Sequence, residues 1–249
     1  MTTDAIQSAD GGAAGVRWRP LFRAAAAAAA LTVAFIPIQI GVFIHWPPPG
    51  YQPTLAVVTG YFNLLRDHRV VGLLDLDLLL VVDNVLAIPI VLALYLTLRR
   101  KGESSMLAAT ALGLAAIAGY LASNASISML SLGNQYWAAN TDAQRAVFLS
   151  AGLAALAAST GTSFHVSYIL GSAGLAITAL VMLRSAMFTR LTAWAGLLGS
   201  VIGLGLYVPT IGIFISVSSV PFLALWNVLI ARGFIRLAAS PSNARAETS

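Results

Sequence analysis

The chain contains no cysteine. A disulfide framework and a thiolate metal site are therefore impossible, and the redox compartment is left open. Charge is scarce as well. Asp, Glu, Lys and Arg make up 9% of the 249 residues, against roughly 25% in soluble domains. With 14 basic and 9 acidic side chains, too few charges exist to cover a water-soluble protein of this length. Several catalytic signatures are missing too: there is no P-loop, HExxH, GxSxG or dinucleotide fingerprint. No lysine lies inside an apolar run, which argues against a retinal Schiff base.

What remains is apolar. Hydrophobic residues form 58% of the chain and the mean hydropathy is +0.83. This composition predicts an all-α, polytopic membrane helix bundle. The sequence pI is about 10, but the basic residues sit in short clusters between apolar runs rather than along one face. Nucleic acid is therefore not an expected partner; the lipid bilayer is.

Six apolar runs, near 23–45, 72–98, 104–126, 164–184, 191–215 and 219–238, each approach the roughly 20 residues that cross a bilayer. Arg17, Arg19 and Arg23 precede the first run. Basic residues there also suit a signal peptide, but the run is too long for one and "HWPPPGYQP" offers no small-residue cleavage site. Residues 1–16 and 239–249 are small and polar and read as disordered tails flanking one transmembrane domain at 17–238. Segments 54–70 and 141–160 are too polar to span yet keep helical periodicity, with Leu55, Val58, Phe62 and Leu65 at spacings of three and four. Both are expected as short amphipathic helices in the interface plane, with a re-entrant course as the alternative for the second.

Six spans with an inside N-terminus put Arg17, Arg19, Arg23, Arg99, Arg100, Lys101, Arg184, Arg190, Arg232, Arg236 and Arg245 on one side. Arg66, Arg69 and Arg145 fall on the other. Because Lys and Arg favour the cytoplasmic side, both termini are expected there, with the amphipathic helices outside and the protein in the inner (cytoplasmic) membrane.

The stretch "RVVGLLDLDLLLVVDNVLAIPIVLALYLTLRR" at 69–100 resembles a bacterial membrane family catalogued only as a domain of unknown function. "MLRSAMFTRLTAWAGLLGSVIGLGLY" at 182–207 is similar to that family's short basic loop and Gly-rich helix. The resemblance implies about six spans and a bacterial setting. It implies no catalytic residue, cofactor or substrate.

Acidic residues in the second run raise the functional question. Counting back about 20 residues from Arg99 puts the outer hydrocarbon edge near Asp77 and Asp83 about 9 Å deeper. Asp75 and Asp77 suit the start of a helix, where a carboxylate favours the dipole. An aspartate within the span costs roughly 2.5–3.5 kcal/mol and must face the bundle or water. On a continuous helix Asp77, Asp83 and Asn84 share an arc of about 120°, while Asp75 points elsewhere. Asp83 then either hydrogen-bonds a neighbouring helix, with Asn124 or Tyr120 in reach, or serves a proton or ion site.

Tyr120, Asn124 and His165 fall in the outer parts of their helices, so a pocket formed with Asp77, Asp83 and Asn84 should open outward, under 46–70 and 127–163. Rows of small residues (Ala111, Ala115, Gly119, Ser123) permit close helix packing. Pro37, Pro89 and Pro209 interrupt runs one, two and five.

No catalytic residue, metal site or cofactor is expected. The leading function is a binding, sensory or structural membrane protein whose outward pocket holds a small molecule or lipid. A small proton- or ion-coupled transporter using Asp83 is the alternative. A membrane enzyme acting on a lipid or prenyl substrate is the third reading.

Overall fold

A computed structural model describes residues 3–50 and 52–239, and among them it is all-helical, with no strand. The expected tail over 240–249 lies outside the described residues, and over 3–17 only the helical backbone of the first helix is described. The elements are α1 (Thr3–His45), α2 (Leu55–Asp67), α3 (Arg69–Asp75), α4 (Leu78–Leu98), α5 (Glu103–Ser123), α6 (Ser126–Ala138), α7 (Asp142–Ser159), α8 (Thr162–Leu183), α9 (Arg190–Gly203), α10 (Gly212–Val217) and α11 (Val220–Ala239).

Five stretches are helical, long and apolar enough to cross a membrane: Trp18–His45, Leu78–Lys101, Glu103–Ala138, Asp142–Leu183 and Gly212–Ala239. Their outer faces carry large apolar side chains such as Ile44, Leu107, Leu180 and Ile235, each exposed. Such faces call for a lipid solvent, so the chain reads as a multi-pass membrane protein.

Two expected runs are divided. The run at 191–215 ends as α-helix at Gly203, tightens into a 3-10 turn over Leu204–Tyr207 and stops. Pro209 cannot donate to the helical ladder. The Ile211 N–H donates to the Pro209 carbonyl at 2.8 Å across Thr210, whose φ is +69°. Bond and angle match the rare γ-turn, a strained conformation for a β-branched residue.

The run at 72–98 is divided as well, without proline or glycine to announce it. α3 stops at Asp75, Asp77 takes a φ of +62°, and α4 begins at Leu78. Asp is among the few residues that tolerate this left-handed region, because its short polar side chain can bond locally. The continuous-helix arc expected for Asp77, Asp83 and Asn84 therefore does not exist.

The described residues group into two compact units. One comprises the described residues up to 33, 86–113 and those from 172 to 239. Its core joins Ala25 and Ala29 of α1, Leu94 and Leu98 of α4, and Ile230 and Phe234 of α11. The alanine run thus has a packing role: two methyl faces one turn apart, both fully buried, let other helices come close. Against α9, a Cβ on Gly196 would lie 2.7 Å from the Trp226 ring.

The second unit comprises residues 34–85 and 114–171. Here segments 54–70 and 141–160 contain the helices α2 and α7, each opened by a threonine cap. The Thr54 hydroxyl accepts from the Val57 N–H at 3.3 Å, and the Thr141 hydroxyl from the Gln144 N–H at 3.2 Å. α2 buries Val58, Tyr61, Phe62 and Leu65, an i, i+3, i+4, i+7 stripe. The stripe packs against α6 and α7. Residues 126–138, expected as part of a loop, form α6 instead. Phe62 is fully buried at the centre, with the Tyr136 ring 5.4 Å away and the Trp137 indole N–H donating to the Phe62 carbonyl at 3.2 Å. The Arg66 guanidinium lies 4.0 Å over the Trp137 ring.

Candidate functional site

At the joint between α3 and α4 the Leu74 carbonyl accepts from the Asp77 N–H at 3.1 Å, and side chains from elsewhere in the chain add donors to Leu74 O and Leu76 O. The Gln39 amide of α1 donates to Leu74 O at 3.3 Å, and the Asn124 amide, just beyond α5, donates to Leu76 O at 3.2 Å. The Asn124 oxygen accepts from the Ser126 N–H at 2.9 Å and its hydroxyl at 2.6 Å, which starts α6. One side chain therefore fastens the joint and opens the next helix. Broken helices persist in apolar surroundings only when freed backbone groups are satisfied this way. Asn124→Ala should accordingly cost about 1–3 kcal/mol, measured as a drop in thermal midpoint. A midpoint unchanged from wild type would mean the joint holds without this clamp.

Beside the joint lies a cavity of about 180 Å³, formed wholly within the second unit. Asp75, Asp77, Tyr120 and Asn124 line it, with Tyr61 of α2 and Phe164 of α8. At roughly 30 Å³ per molecule it would hold about six waters. That is below the roughly 300–1,000 Å³ typical of drug-sized pockets.

Asp75 is the unusual member. It is 6% exposed, and neither carboxylate oxygen has a hydrogen-bond partner. Burial pushes its carboxyl up to about 6, because a low-polarity setting disfavours the charged form. Asp77 is likewise pushed up to about 6, by burial first and by the Asp75 charge second. Unlike Asp75, Asp77 keeps an exposed side chain, so water solvates part of its charge. Tyr120 is 9% exposed and its hydroxyl completes no hydrogen bond, although Asn124, Asp77 and Asp83 are all near enough to interact with it. Its ring lies 6.5 Å from Phe164. No Arg, Lys or His is among the described lining residues.

Of the residues expected at a site, the cavity brings together Asp77, Tyr120 and Asn124. Asp83 and Asn84 do not line it; the Asn84 amide donates to Leu80 O of its own helix at 2.8 Å. Asn124, expected as a partner for Asp83, bonds Leu76 and Ser126 instead. His165 is exposed and stacks edge-on to Phe164, outside the lining. Asp75, expected to point elsewhere, is in the cavity because the joint changes the direction of the chain between it and α4. Its sequence signal was the triple "DLD", readable only once the helix is known to break inside it.

Comparison with protein-family models, with curated proteins and with solved structures finds no match to this chain. The likeness noted at 69–100 and 182–207 thus assigns no residue a role.

Proposed function

We propose that this is a multi-pass membrane protein that binds a small molecule in a polar pocket open to the extracytoplasmic side. The observation that carries the reading is the Asp75 carboxylate, buried in a cavity wall with both oxygens unpartnered. A carboxylate held this way costs stability. It is readily understood as a group kept for an occupant.

Six crossings are the topology we adopt. α4 has 21 residues, about 31 Å of rise. The 14 residues of α9 add about 21 Å and the four of the 3-10 turn about 8 Å. α9 and its 3-10 turn by themselves thus approach the roughly 30 Å of a bilayer core and supply a sixth crossing beside the five longer stretches. Eleven of the 14 basic residues then share the side of the termini, which favours a cytoplasmic location for both. α2, α3, α6 and α7 lie on the opposite side, and the pocket with them. The transporter reading through Asp83 has no comparable support, since Asp83 and Asn84 do not line the cavity.

The absence of cysteine makes this testable with one thiol at a time. Thr160 is exposed and lines the cavity, while Ser104 is exposed in the first turn of α5 beside the Arg99–Lys101 cluster. In intact cells or right-side-out vesicles, a membrane-impermeant thiol reagent should label Thr160→Cys directly and Ser104→Cys only after permeabilisation. Labelling of Thr160→Cys only after permeabilisation would overturn the outward pocket.

A further inference from the structure

We propose that the cavity binds a small organic ammonium ion, held by the carboxylates of Asp75 and Asp77 and faced by the rings of Tyr61, Tyr120 and Phe164. The inference rests on the pocket reading above and names the chemistry of its occupant.

Charge decides the sign. Two carboxylates line the cavity and no cationic side chain is among its described lining, so an anion would meet repulsion with nothing to offset it. A neutral solute would leave the two unpartnered oxygens of Asp75 without a counter-charge. A cation supplies one directly, and a primary or secondary ammonium also supplies N–H donors.

The wall composition separates an organic cation from a metal ion. A Ca²⁺ ion takes about six to eight closely placed oxygens. Among the described residues no group of three or more His, Cys, Asp or Glu is placed to hold a metal. Besides the uncharged polar side chains of Gln52, Ser123, Asn124, Ser159 and Thr160, the lining holds the Tyr61, Tyr120 and Phe164 rings together with Val57 and Leu156. Ring faces attract ammonium groups through their quadrupoles, and quaternary ammonium recognition uses this arrangement. Aliphatic contacts suit the alkyl groups of the same ion and gain nothing from a hydrated metal. Size sets the rest. A cavity of about 180 Å³ is of the order that admits benzene, so the ion should have about six heavy atoms.

The test uses the full chain in membranes and the Thr160→Cys label as readout. Protection from labelling is measured with tert-butylammonium chloride, with tert-butanol as its neutral counterpart of nearly the same shape, and with potassium chloride. We expect tert-butylammonium to protect with a Kd between about 10 μM and 10 mM, the range open to so few heavy atoms. Tert-butanol and potassium should be at least about tenfold weaker. Asp75→Asn should abolish the ammonium's advantage over tert-butanol. Asp77→Asn, an exchange its left-handed backbone tolerates, should reduce that advantage severalfold.

Equal protection by tert-butanol, protection by potassium, an advantage that survives Asp75→Asn, or no protection in a pocket that labels from outside would each overturn the ammonium assignment and leave the outward pocket standing. Failure of Thr160→Cys to label from outside would instead remove the pocket reading itself.

Discussion

Asp75→Asn should stabilise the unliganded protein by about 1–3 kcal/mol at pH 8 and change its stability little at pH 4. The reason is linkage. Burial raises the Asp75 carboxyl in the folded protein to about 6, above the roughly 3.9 of an unfolded chain. Between those values the folded state binds more protons than the unfolded state, so stability falls as pH rises through that window. Below it both states are protonated and nothing is lost; above it the loss is complete. Asparagine is nearly the same shape and never ionises, so it removes the loss.

The groups that could disturb this sign are few. Tyr61 from α2 and Tyr120 from α5 are the other titratable side chains in the described lining, beside Asp77. The described lining residues from α1, α7 and α8 carry no charge. Thermal midpoints of the two proteins, compared from pH 4 to pH 8 without added amines, should diverge as pH rises. An asparagine variant less stable than wild type at pH 8 would mean that the ionised form has a partner, and would sink the account of Asp75 as a buried, unpaired charge. Saturating tert-butylammonium should narrow the gap, because it stabilises only the protein that binds it.

Phe62→Ala is expected to cost about 3–5 kcal/mol, the largest loss of any substitution considered. Phe62 has no accessible surface, and its surroundings cannot close over the space it would leave. A Cβ on Gly133 would stand 3.1 Å from the ring and one on Gly152 2.9 Å. The backbones of α6 and α7 therefore already press against Phe62, and collapse would have to shift whole helices. The stripe that carries Phe62 also carries Tyr61, and Val57 lies one turn away; both line the cavity. Ligand protection at position 160 should be lost together with the fold of this unit. Hydrogen exchange gives the sharper reading. Amides of α2, α6 and α7 should lose protection while those of α9 and α11, in the other core, keep theirs. Equal loss in both sets would mean that the two cores melt as one.

These predictions depend on features of differing legibility in the sequence. Long apolar stretches announced themselves by composition. Of the spaced residues Leu55, Val58, Phe62 and Leu65, the last three are buried on α2, while Leu55, at the first position of the helix, is exposed. α6 did not announce itself, because "SISMLSLGNQYWA" is short, polar and weakly periodic. The Asn124 oxygen accepts from Ser126 two residues on, a local turn at the start of α6. Pro209 hinted that the fifth run would break, but the joint at Leu76–Asp77 gave no such hint, as the left-handed backbone falls on an aspartate where glycine would have been the signal. That omission carried over into the site. Projected on an unbroken helix, Asp83 and Asn84 join Asp77 and Asp75 drops out. With the break, Asp75 and Asp77 share a cavity and the deeper pair does not line it.

An unpaired carboxylate also bears on how such a sequence persists. Mutation proposes, by a single base change in many codon contexts, neutral side chains at position 75 that would leave the empty protein sturdier. A lineage in which nothing fills the cavity would gain by accepting one of them and would lose nothing in return. Where the occupant is present and useful, the same change would remove the advantage that keeps the acid in place. On the ammonium reading, Asp75 would be retained only where the cavity is in use: a residue that weakens the empty protein is one that disuse should erase.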